Sequence, residues 1–267
     1  MAKHRIPAQR AGETDAEHVK PYSDTGNKSE QVEQMFDSIA PAYDFMNTAM
    51  TFGMHRSWRN RALSMLAGKL ARQTSAGPLR MLDVACGTGD VTFRMYDRFG
   101  PEADITGIDL SQGMLDVARR KLQEMSQAHR AAIKFQAADC LKLPFADNTF
   151  DAVTVAYGVR NFERLAEGYA QMLRVLRPGG VLCVIELCEP ASPLTRWGYR
   201  LYSRHIIPFI GRRVSKDDRA YSYLPQSIAA CPDRDTMTRL MAQAGFIHTE
   251  WHTLFPGAVA IYLARKA

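Results

Sequence analysis

The sequence of 267 residues lacks long hydrophobic runs and paired cysteines, and both absences narrow the possible functions. It has no run of 18 apolar residues, which argues against a membrane-spanning helix. The five cysteines form no C-x-x-C pair, which favours reduced thiols over a structural metal site. The basic start, MAKHRIPAQR, lacks the apolar segment of a secretory signal. We therefore expect a cytoplasmic protein without a bound metal.

No charge sign dominates the composition. The net charge of +6 permits contact with an anionic membrane surface or a nucleic acid but establishes neither. Apolar residues make up 46% and charged residues 23%, as in an ordinary soluble chain whose length suits one domain. Residues 1–28 are polar and poor in large apolar side chains, which predicts a disordered tail. Residues 29–267 are then the folded domain.

Residues 79–90, LRMLDVACGTGD, are the most informative stretch. The apolar run, the glycines and the amphipathic residues that follow predict a buried strand, a tight turn and a helix. A glycine turn at the carboxyl end of a strand lets the backbone approach a bound nucleotide. The dinucleotide pattern G-x-G-x-x-G is incomplete because Thr92 stands at its third glycine. The acidic neighbours Asp83 and Asp90 suit a cationic ligand better than a pyrophosphate.

A second carboxylate follows about 20 residues later. Asp109 ends the predicted strand 105–109, where an acid can accept hydrogen bonds from both ribose hydroxyls. Together, the acidic turn and this acid resemble the S-adenosylmethionine site of class I methyltransferases. The resemblance implies an α/β fold: a mostly parallel seven-stranded sheet with an antiparallel C-terminal strand and helices on both faces. It also implies that the cofactor-binding residues are Asp83, Gly87, Thr88, Gly89, Asp109, Asp139, Cys140 and Ala156.

Further motifs resemble one family in particular. They are FDSIAPAYDFMN at 36–47, FGMHRSWR at 52–59, LPFADNTFD at 143–151, YGVRN at 157–161 and D-x-x-x-Y-x-Y-L-P-x-S-I at 217–228. These motifs are similar to those of the UbiE/MenG family of S-adenosylmethionine-dependent C-methyltransferases of quinone biosynthesis, from about residue 30 to the C-terminus. Departures are few: Cys86 stands where glycine is common, Tyr157 replaces phenylalanine, and Ala230-Cys231 precede Pro232 in place of a bulkier residue.

The resemblance implies C-methylation of a polyprenylated hydroquinone, demethylmenaquinol first and a demethylated benzoquinol second. Ionising a ring hydroxyl makes the neighbouring carbon nucleophilic, and a cation such as Arg160 favours that anion. Arginine is too basic to act as a conventional base. The alternative for Arg160 is a structural ion pair with an acid of a lid. The expected catalytic residues are Arg160, Asn161, Tyr43 and His55, and the expected substrate-binding residues are Asn47, Tyr157 and Tyr221.

Two segments are candidates for contact with an apolar substrate. Residues 29–70, rich in methionine and aromatics, predict either an ordinary helical core face or a helical lid. Residues 191–229 form an insertion with seven Lys/Arg against two Asp between 191 and 219. A solvated cap, a nucleic-acid patch and a membrane-surface face are all compatible with this composition. A polyprenyl substrate favours the membrane surface, and no nucleic acid is expected.

Some alternatives stay open at this stage. Glu186 interrupts an apolar strand and is either a buried structural acid or part of a substrate pocket. The chain could methylate nitrogen or oxygen of another small molecule or of RNA, or it could be a non-catalytic scaffold of the same fold. An NAD-dependent dehydrogenase is disfavoured by the missing third glycine. The oligomeric state is open, a homodimer being one alternative.

Overall fold

The computed structural model describes residues 13–70, 77–202 and 218–267. Three predictions fall outside the described residues: the tail over 1–12, the centre of the insertion over 203–217, and the side chain of Tyr221. None of the described helices is long and apolar enough to cross a membrane.

The described strands form one seven-stranded sheet in the order β3-β2-β1-β4-β5-β7-β6. Strands β1 to β5 run parallel, whereas β7 is antiparallel to both of its neighbours. This topology confirms the fold class expected from the sequence. The strands are β1 Arg80–Val84, β2 Asp104–Asp109, β3 Ile133–Ala137, β4 Phe150–Ala156, β5 Leu176–Leu187, β6 Ile247–Leu254 and β7 Val259–Arg265.

Helices lie on both faces of the sheet and over its carboxyl edge. They are α1 Asp15–His18, α2 Lys28–Ile39, α3 Tyr43–Thr51, α4 Met54–Leu70, α5 Asp90–Phe99, α6 Gln112–Glu124, α7 Gln127–Ala132, α8 Leu165–Val175, α9 Pro193–Leu201, α10 Asp218–Ala230 and α11 Arg234–Gln243. The segments Ala40–Ala42 and Val159–Asn161 are 3-10 turns. A polar cap begins α6, since Ser111 Oγ accepts a hydrogen bond from the amide of Met114 at 3.1 Å.

The core has two layers because successive strand residues point to opposite faces. On β1, Leu82 packs with α8 and α11, whereas Met81 packs with α4 and α5. Both side chains are fully buried. Burial of a large apolar side chain contributes about 1.5–3 kcal/mol, so these layers fix the sheet and thereby the positions of the strand ends.

The N-terminal predictions need two corrections. The expected disordered tail is wrong for residues 13–28, which include α1 and the completely buried Lys28. The expected lid over residues 29–70 extends too far. The last helix, α4, buries Leu63 and Leu66 against the sheet, so it belongs to a core layer. The helices α2 and α3 remain as the predicted lid.

Candidate active site

The turn between β1 and α5 needs its glycines. Gly87 and Gly89 have φ angles of 56° and 83°, in the left-handed region that side chains disfavour. A Cβ on Gly89 would lie 2.8 Å from the ring of Phe135 and 2.9 Å from that of Phe93. The backbone therefore turns tightly here, as the sequence predicted, and leaves an open edge above β1.

Asp109 lies at the end of β2, beside this turn. Its Oδ2 accepts a hydrogen bond from the amide of Gly87 at 2.8 Å, and its Oδ1 accepts one from Ser111 at 2.9 Å. Burial raises the pKa of Asp109 to about 6, although both backbone hydrogen bonds act in the opposite direction. A carboxylate oxygen has more than one acceptor site, so this fixed carboxylate can still accept hydroxyl donors.

The surroundings of Asp83 are those of a structural residue rather than those of an acid that faces a ligand. It is fully buried and accepts hydrogen bonds from Thr92 at 2.6 Å and Thr154 at 2.7 Å. Burial raises the pKa of Asp83 to about 6. The Thr92 hydroxyl that interrupts the dinucleotide pattern thus joins α5 to β1. Asp83 borders only the smallest of the cavities described below.

Three cavities adjoin at the carboxyl edge of the sheet. The β2-side cavity, about 80 Å³, is bordered by Asp109, and the glycine-turn cleft, about 30 Å³, is bordered by Thr88. The apolar cavity, about 390 Å³, lies beyond them under α2 and α3. Tyr43 and Tyr157 border all three cavities. These two predicted residues therefore stand where the cavities meet.

The other predicted cofactor residues are distributed around the two smaller cavities. Ala156 and Gly87 border both of them, and Cys140 borders the β2-side cavity. Burial raises the pKa of Cys140, so its thiol is protonated at neutral pH. Asp139 does not border a described cavity; its Oδ1 accepts a hydrogen bond from the amide of Leu141 at 2.8 Å. This contact shapes the loop that carries Cys140.

Methionine and aromatic side chains dominate the wall of the apolar cavity. The polar predicted residues Asn47 and His55 also border it, whereas Asn161 borders the β2-side cavity. Soft, adaptable side chains of this kind suit an apolar ligand without a fixed shape. The apolar lining includes Met35, Met46, Met50, Phe52, Tyr202 and Leu224.

Arg160 and Glu186 form a buried ion pair at the wall of the apolar cavity. Arg160 Nη1 lies 2.8 Å from Glu186 Oε1, and the backbone amide of Arg160 donates to Glu186 Oε2 at 3.2 Å. Burial alone would lower the pKa of Arg160, but the Glu186 carboxylate raises it above its usual value. The acid that pairs with Arg160 comes from β5, so the predicted alternative of a lid acid is wrong. Arg160 Nε is buried without a hydrogen-bond partner among the described residues.

Asn161 connects this pair to α10. Its side-chain amide donates to the carbonyl of Tyr157 at 3.4 Å, and its Oδ1 accepts from the hydroxyl of Tyr223 at 3.0 Å. Arg160 also donates to the carbonyl of Tyr157. Tyr223 was not among the residues predicted from the sequence, although it lies in the motif at 217–228. The feature that could have identified it is a tyrosine at a buried position of an otherwise amphipathic helix.

His55 and Arg59 stand one turn apart on α4. Burial, reinforced by the charge of Arg59, lowers the pKa of His55 to about 4, so its ring is neutral at pH 7. Its Nδ1 lies 2.6 Å from Thr51 Oγ1. Arg59 binds Asp90 at 2.7 Å and borders the glycine-turn cleft and the apolar cavity. The sequence analysis did not single out Arg59, because an arginine on a helix is usually exposed.

The Tyr157 hydroxyl is another unpaired polar group at this junction. It is buried without a hydrogen-bond partner in the part of the chain that the structure describes, as is Arg59 Nε. The Arg59 guanidinium lies 5.7 Å from the centre of the Tyr157 ring. Burial raises the pKa of Tyr157, so its hydroxyl keeps its proton. Buried unpaired groups are costly, and the three on Arg59, Tyr157 and Arg160 belong to side chains that border the apolar cavity.

Two acids, one on α3 and one on α2, fasten the predicted lid helices over the smaller cavities. Asp44 of α3 accepts a hydrogen bond from Thr88 Oγ1 at 2.6 Å and lies 2.5 Å from Lys121 Nζ. Asp37 of α2 accepts from Ser111 Oγ at 2.6 Å and from the amide of Gly113 at 2.8 Å. The lid is therefore joined to both the glycine turn and the start of α6.

No described group of three or more His, Cys, Asp or Glu side chains has an arrangement that could hold a metal ion. Among residues 13–70, 77–202 and 218–267, the cysteines are free thiols.

The family follows from comparison with known sequences. The model of the ubiE/COQ5 methyltransferase family matches residues 24–266. The chain belongs to this family. A demethylmenaquinone methyltransferase from Bacteroides fragilis is 43% identical over 250 residues, 94% of this chain and 98% of its own. A ubiquinone/menaquinone biosynthesis C-methyltransferase UbiE from Geotalea daltonii is 39% identical over 239 residues, covering 90% of this chain and 97% of its own.

Solved structures agree on the fold. The cyclase SpnF has a TM-score of 0.62 at 21% identity, with 89% of this chain and 96% of that chain covered. Phosphoethanolamine N-methyltransferase 2 of Haemonchus contortus, in complex with S-adenosylmethionine, has a TM-score of 0.53 at 16% identity, with coverage of 76% of this chain and 52% of that chain.

Family membership makes the protein an S-adenosylmethionine-dependent methyltransferase and confirms the methyl donor expected from the sequence.

Proposed function

We propose that the protein C-methylates the ring of a polyprenylated hydroquinone, with demethylmenaquinol as the first substrate and the demethylated benzoquinol as the second. The observation that carries the proposal is an apolar cavity of about 390 Å³ with the buried guanidinium of Arg160 at its wall. The names of the relatives from Bacteroides fragilis and Geotalea daltonii support the same substrate class.

We assign S-adenosylmethionine to the two smaller cavities, because Asp109 and the glycine turn border them. In this proposal Asp109 accepts the ribose hydroxyls, and the loop with Asp139 and Cys140 meets the adenine. Arg59 is the cation beside the glycine-turn cleft and suits the donor's carboxylate. When bound, the donor supplies an electrophilic methyl group.

The acceptor side must make a ring carbon nucleophilic. A phenolic hydroxyl has a pKa of about 10, and a neighbouring cation favours its ionised form. Arg160 is held beside the cavity by Glu186 and keeps an unpaired Nε, which can donate to the ring oxygen. The unpaired hydroxyl of Tyr157 is a second donor, and the neutral ring of His55 contacts the other oxygen. The hydroxyl proton leaves to water; once the ring carbon carries the methyl group, it loses its hydrogen as a proton to water and the oxygen regains a proton, which restores the aromatic hydroquinone.

Positioning accounts for the remaining predicted residues. Asn161 holds the carbonyl of Tyr157 and thereby the turn that carries Arg160. Tyr43 separates the donor and acceptor cavities, and Asn47 borders the acceptor cavity. Alignment of the reacting atoms supplies several kcal/mol in such displacements, up to about 7–11 in ideal intramolecular models. Tyr221 stays a predicted substrate contact.

Product analysis with a labelled methyl donor tests the substrate. The purified protein is given demethylmenaquinol or the demethylated benzoquinol, each reduced, and the product is analysed for the position of the label. We expect the label on a ring carbon, with faster transfer to the naphthoquinol. Transfer to oxygen or nitrogen, or absence of transfer to both quinols, would refute the proposal.

Arg160→Ala tests the role of the buried guanidinium. We expect turnover to fall at least about tenfold, equivalent to 1.4 kcal/mol, with the affinity for the donor unchanged. Arg164→Ala, which removes an exposed arginine four positions later, is the control. Because Arg160→Ala leaves Glu186 unpaired in the interior, Arg160→Leu combined with Glu186→Leu provides a variant without a buried charge. Near-normal turnover in either variant would exclude Arg160 from catalysis.

We further propose that the mouth of the apolar cavity rests on a membrane surface. Exposed aromatic side chains from three elements surround it: Phe52 follows α3, Trp197 lies on α9, and Phe255 lies between β6 and β7. They are 77%, 67% and 86% exposed. Their neighbours Gly198, Tyr202 and Pro256 line the cavity. Aromatic side chains beside basic residues are typical of proteins that lie on anionic bilayers.

Flotation with liposomes of anionic and neutral lipids tests this surface. A variant with Phe52→Ser, Trp197→Ser and Phe255→Ser should bind anionic liposomes at least fivefold less than the parent. Ile247→Ser, which removes an exposed apolar side chain of β6 away from the cavity, is the control. Equal binding by the triple variant and the parent would contradict a membrane role for this rim.

A further inference from the structure

Lys28 is an unusual residue for the place it occupies. It is the first residue of α2 and its side chain is completely buried. A buried ammonium group is costly, and a positive charge is also disfavoured at a helix N-terminus. Burial lowers the pKa of Lys28 to about 8, although Glu17 acts in the opposite direction. Burial and the position at a helix N-terminus both disfavour the charge, so the side chain needs specific hydrogen-bond partners.

Those partners are three backbone carbonyls from two separate segments. Lys28 Nζ donates to Ala16 at 2.6 Å, to Arg160 at 3.0 Å and to Phe162 at 3.3 Å. An ammonium group has three protons to donate, so each proton has one acceptor. One acceptor belongs to α1, and the other two belong to or directly follow the Val159–Asn161 turn. The lysine thus joins the N-terminal segment to the turn that carries Arg160.

Acidic side chains strengthen the same junction. Glu163 accepts hydrogen bonds from the amide of Lys28 at 3.4 Å and from Ser29 Oγ at 3.0 Å. Glu17 accepts from the amide of Leu165 at 3.0 Å. The cap of α2 is formed separately by Asn27, whose side chain accepts from the amide of Glu30. The Lys28 side chain is therefore not needed to start the helix, and its bonds serve the turn.

The Val159–Asn161 turn is short, and its side chains make contacts within the active site. Arg160 pairs with Glu186, and Asn161 bonds to Tyr223. Its own backbone contributes only two short-range hydrogen bonds, from Asn161 to Gly158 and from Phe162 to Val159. A 3-10 turn of this length has little stability of its own. Contacts from outside must therefore determine where Arg160 lies.

We propose that Lys28 is a positioning residue that holds the Val159–Asn161 turn, and through it Arg160 and Asn161, in the geometry needed for methyl transfer. The proposal rests on the role given to Arg160 above. It makes the N-terminal segment part of the catalytic domain rather than an appendage. Lys28 touches neither the donor nor the acceptor, because it borders none of the three cavities.

Lys28→Met tests the proposal, because methionine is of similar length but cannot donate hydrogen bonds. We expect turnover to fall at least tenfold, while the affinity for S-adenosylmethionine, measured by calorimetry, changes less than twofold. In the Arg160→Ala background, Lys28→Met should lower turnover less than threefold further, since both changes act on one group. A general loss of structure would instead lower both properties and add to the effect of Arg160→Ala.

Hydrogen exchange gives a local measurement that does not depend on the substrate. In Lys28→Met the amides of Arg160, Asn161 and Phe162 should exchange at least tenfold faster, with the amide of Cys86, which donates to Ile108 between β1 and β2, unchanged. Lys20→Met is the matched control, because Lys20 also donates to two carbonyls, Asp24 and Gly26, but lies away from the turn.

The outcomes separate this proposal from the proposed function. If the parent methylates no quinol, the proposed function fails, while donor binding and exchange at the turn still test Lys28. Unchanged exchange at the turn, unchanged turnover, or an effect that multiplies with Arg160→Ala would overturn the proposal. If Lys28→Met does not fold, Lys28→Gln, which keeps a shorter amide donor, should give the same pattern with smaller changes.

Discussion

The proposed donor side and the proposed acceptor side of the active site are built from different chemical groups. The donor side uses backbone amides, glycines and the fixed carboxylate of Asp109, within cavities of about 80 and 30 Å³. The acceptor side is an apolar cavity of about 390 Å³ whose main charged feature is the pair of Arg160 with Glu186. The first comes from strand ends of the sheet, whereas the second depends on helices added around it.

This difference indicates which parts of the site tolerate substitution. Groups on strand ends are fixed by the sheet and recognise one ligand through directed hydrogen bonds. The methionine-rich wall recognises mainly apolar surface, which is less directional and permits several ligand shapes. We therefore expect changes on the donor side to weaken binding of the donor strongly. Changes in the acceptor wall should weaken binding of the acceptor only slightly. The buried ion pair is the exception on the acceptor side.

The largest effect is expected for Glu186→Ala, which removes the acid of the buried ion pair. Removing the carboxylate leaves the Arg160 guanidinium buried without its counter-charge, and loss of one partner of a buried pair typically costs about 3–5 kcal/mol. The free energy of unfolding, measured by urea denaturation, should fall by this amount. Glu102→Ala, at an exposed position between α5 and β2, is the control. A loss below about 1 kcal/mol would mean that water reaches the pair.

Asp109→Ala should have the next largest effect, confined to the donor. It removes the proposed acceptor for the ribose hydroxyls and also frees the amides of Gly87 and Ser111. We expect S-adenosylmethionine to bind about 100-fold more weakly, equivalent to about 2.7 kcal/mol. Calorimetry measures this, and Asp116→Ala on the exposed face of α6 is the control. Equal affinity in Asp109→Ala and the parent would show that the donor lies elsewhere.

A pH dependence of donor binding should be smaller. Burial raises the pKa of Asp109 to about 6, so the free protein loses the carboxylate as the pH falls through that value. Because donor binding uses the ionised form, affinity should fall about tenfold from pH 7 to pH 5, equivalent to about 1.4 kcal/mol. His55, with a pKa of about 4, stays neutral over this range.

The buried Asp83 also has a pKa near 6, so the titration needs a variant that assigns it. Asp109→Asn cannot ionise and should bind the donor weakly with little pH dependence between 5 and 7. Calorimetric titrations at several pH values provide the measurement. If the parent and Asp109→Asn show the same dependence on pH, the titrating group is Asp83 rather than Asp109.

The smallest effect is expected when the acceptor wall is altered. Met50→Trp narrows the apolar cavity, and the wall can adjust around it, so KM for a polyprenyl quinol should rise about threefold. The affinity for the donor should not change. Met50→Leu conserves the volume and is the control, and steady-state kinetics at saturating donor measure both. A loss of donor affinity in Met50→Trp would show that the two sides are not independent.

Local patterns predicted much of the fold correctly, and they supplied the candidate residues of the donor side, which stay predictions. The run LRMLDVACGTGD specified a strand, a turn and a helix, because apolar spacing and glycine conformations act over a few residues. Asp109 could be placed beside the turn, since neighbouring parallel strands end at the same edge of a sheet. The sequence alone also supplied Arg160, Tyr157 and His55 as candidates through motif resemblance.

Long-range contacts decided what the sequence left open or predicted wrongly. Polar composition made residues 13–28 resemble a disordered tail, but Lys28 donates to carbonyls more than 130 residues away. Glu186 was ambiguous because only the sheet places it next to Arg160. The spacing of apolar residues likewise did not show that α4 is part of the core and that α2 and α3 cover the site.

The sequence by itself determined the order of strands and helices, the glycine turn and the acid that follows the second strand. These features depend on backbone preferences and on the alternation of apolar side chains, which neighbouring residues fix. Only the tertiary structure decided which acid neutralises Arg160, which lysine holds its turn and how large the acceptor cavity is. Those properties arise where distant segments meet, because the energy of a buried charge depends on all the groups that surround it.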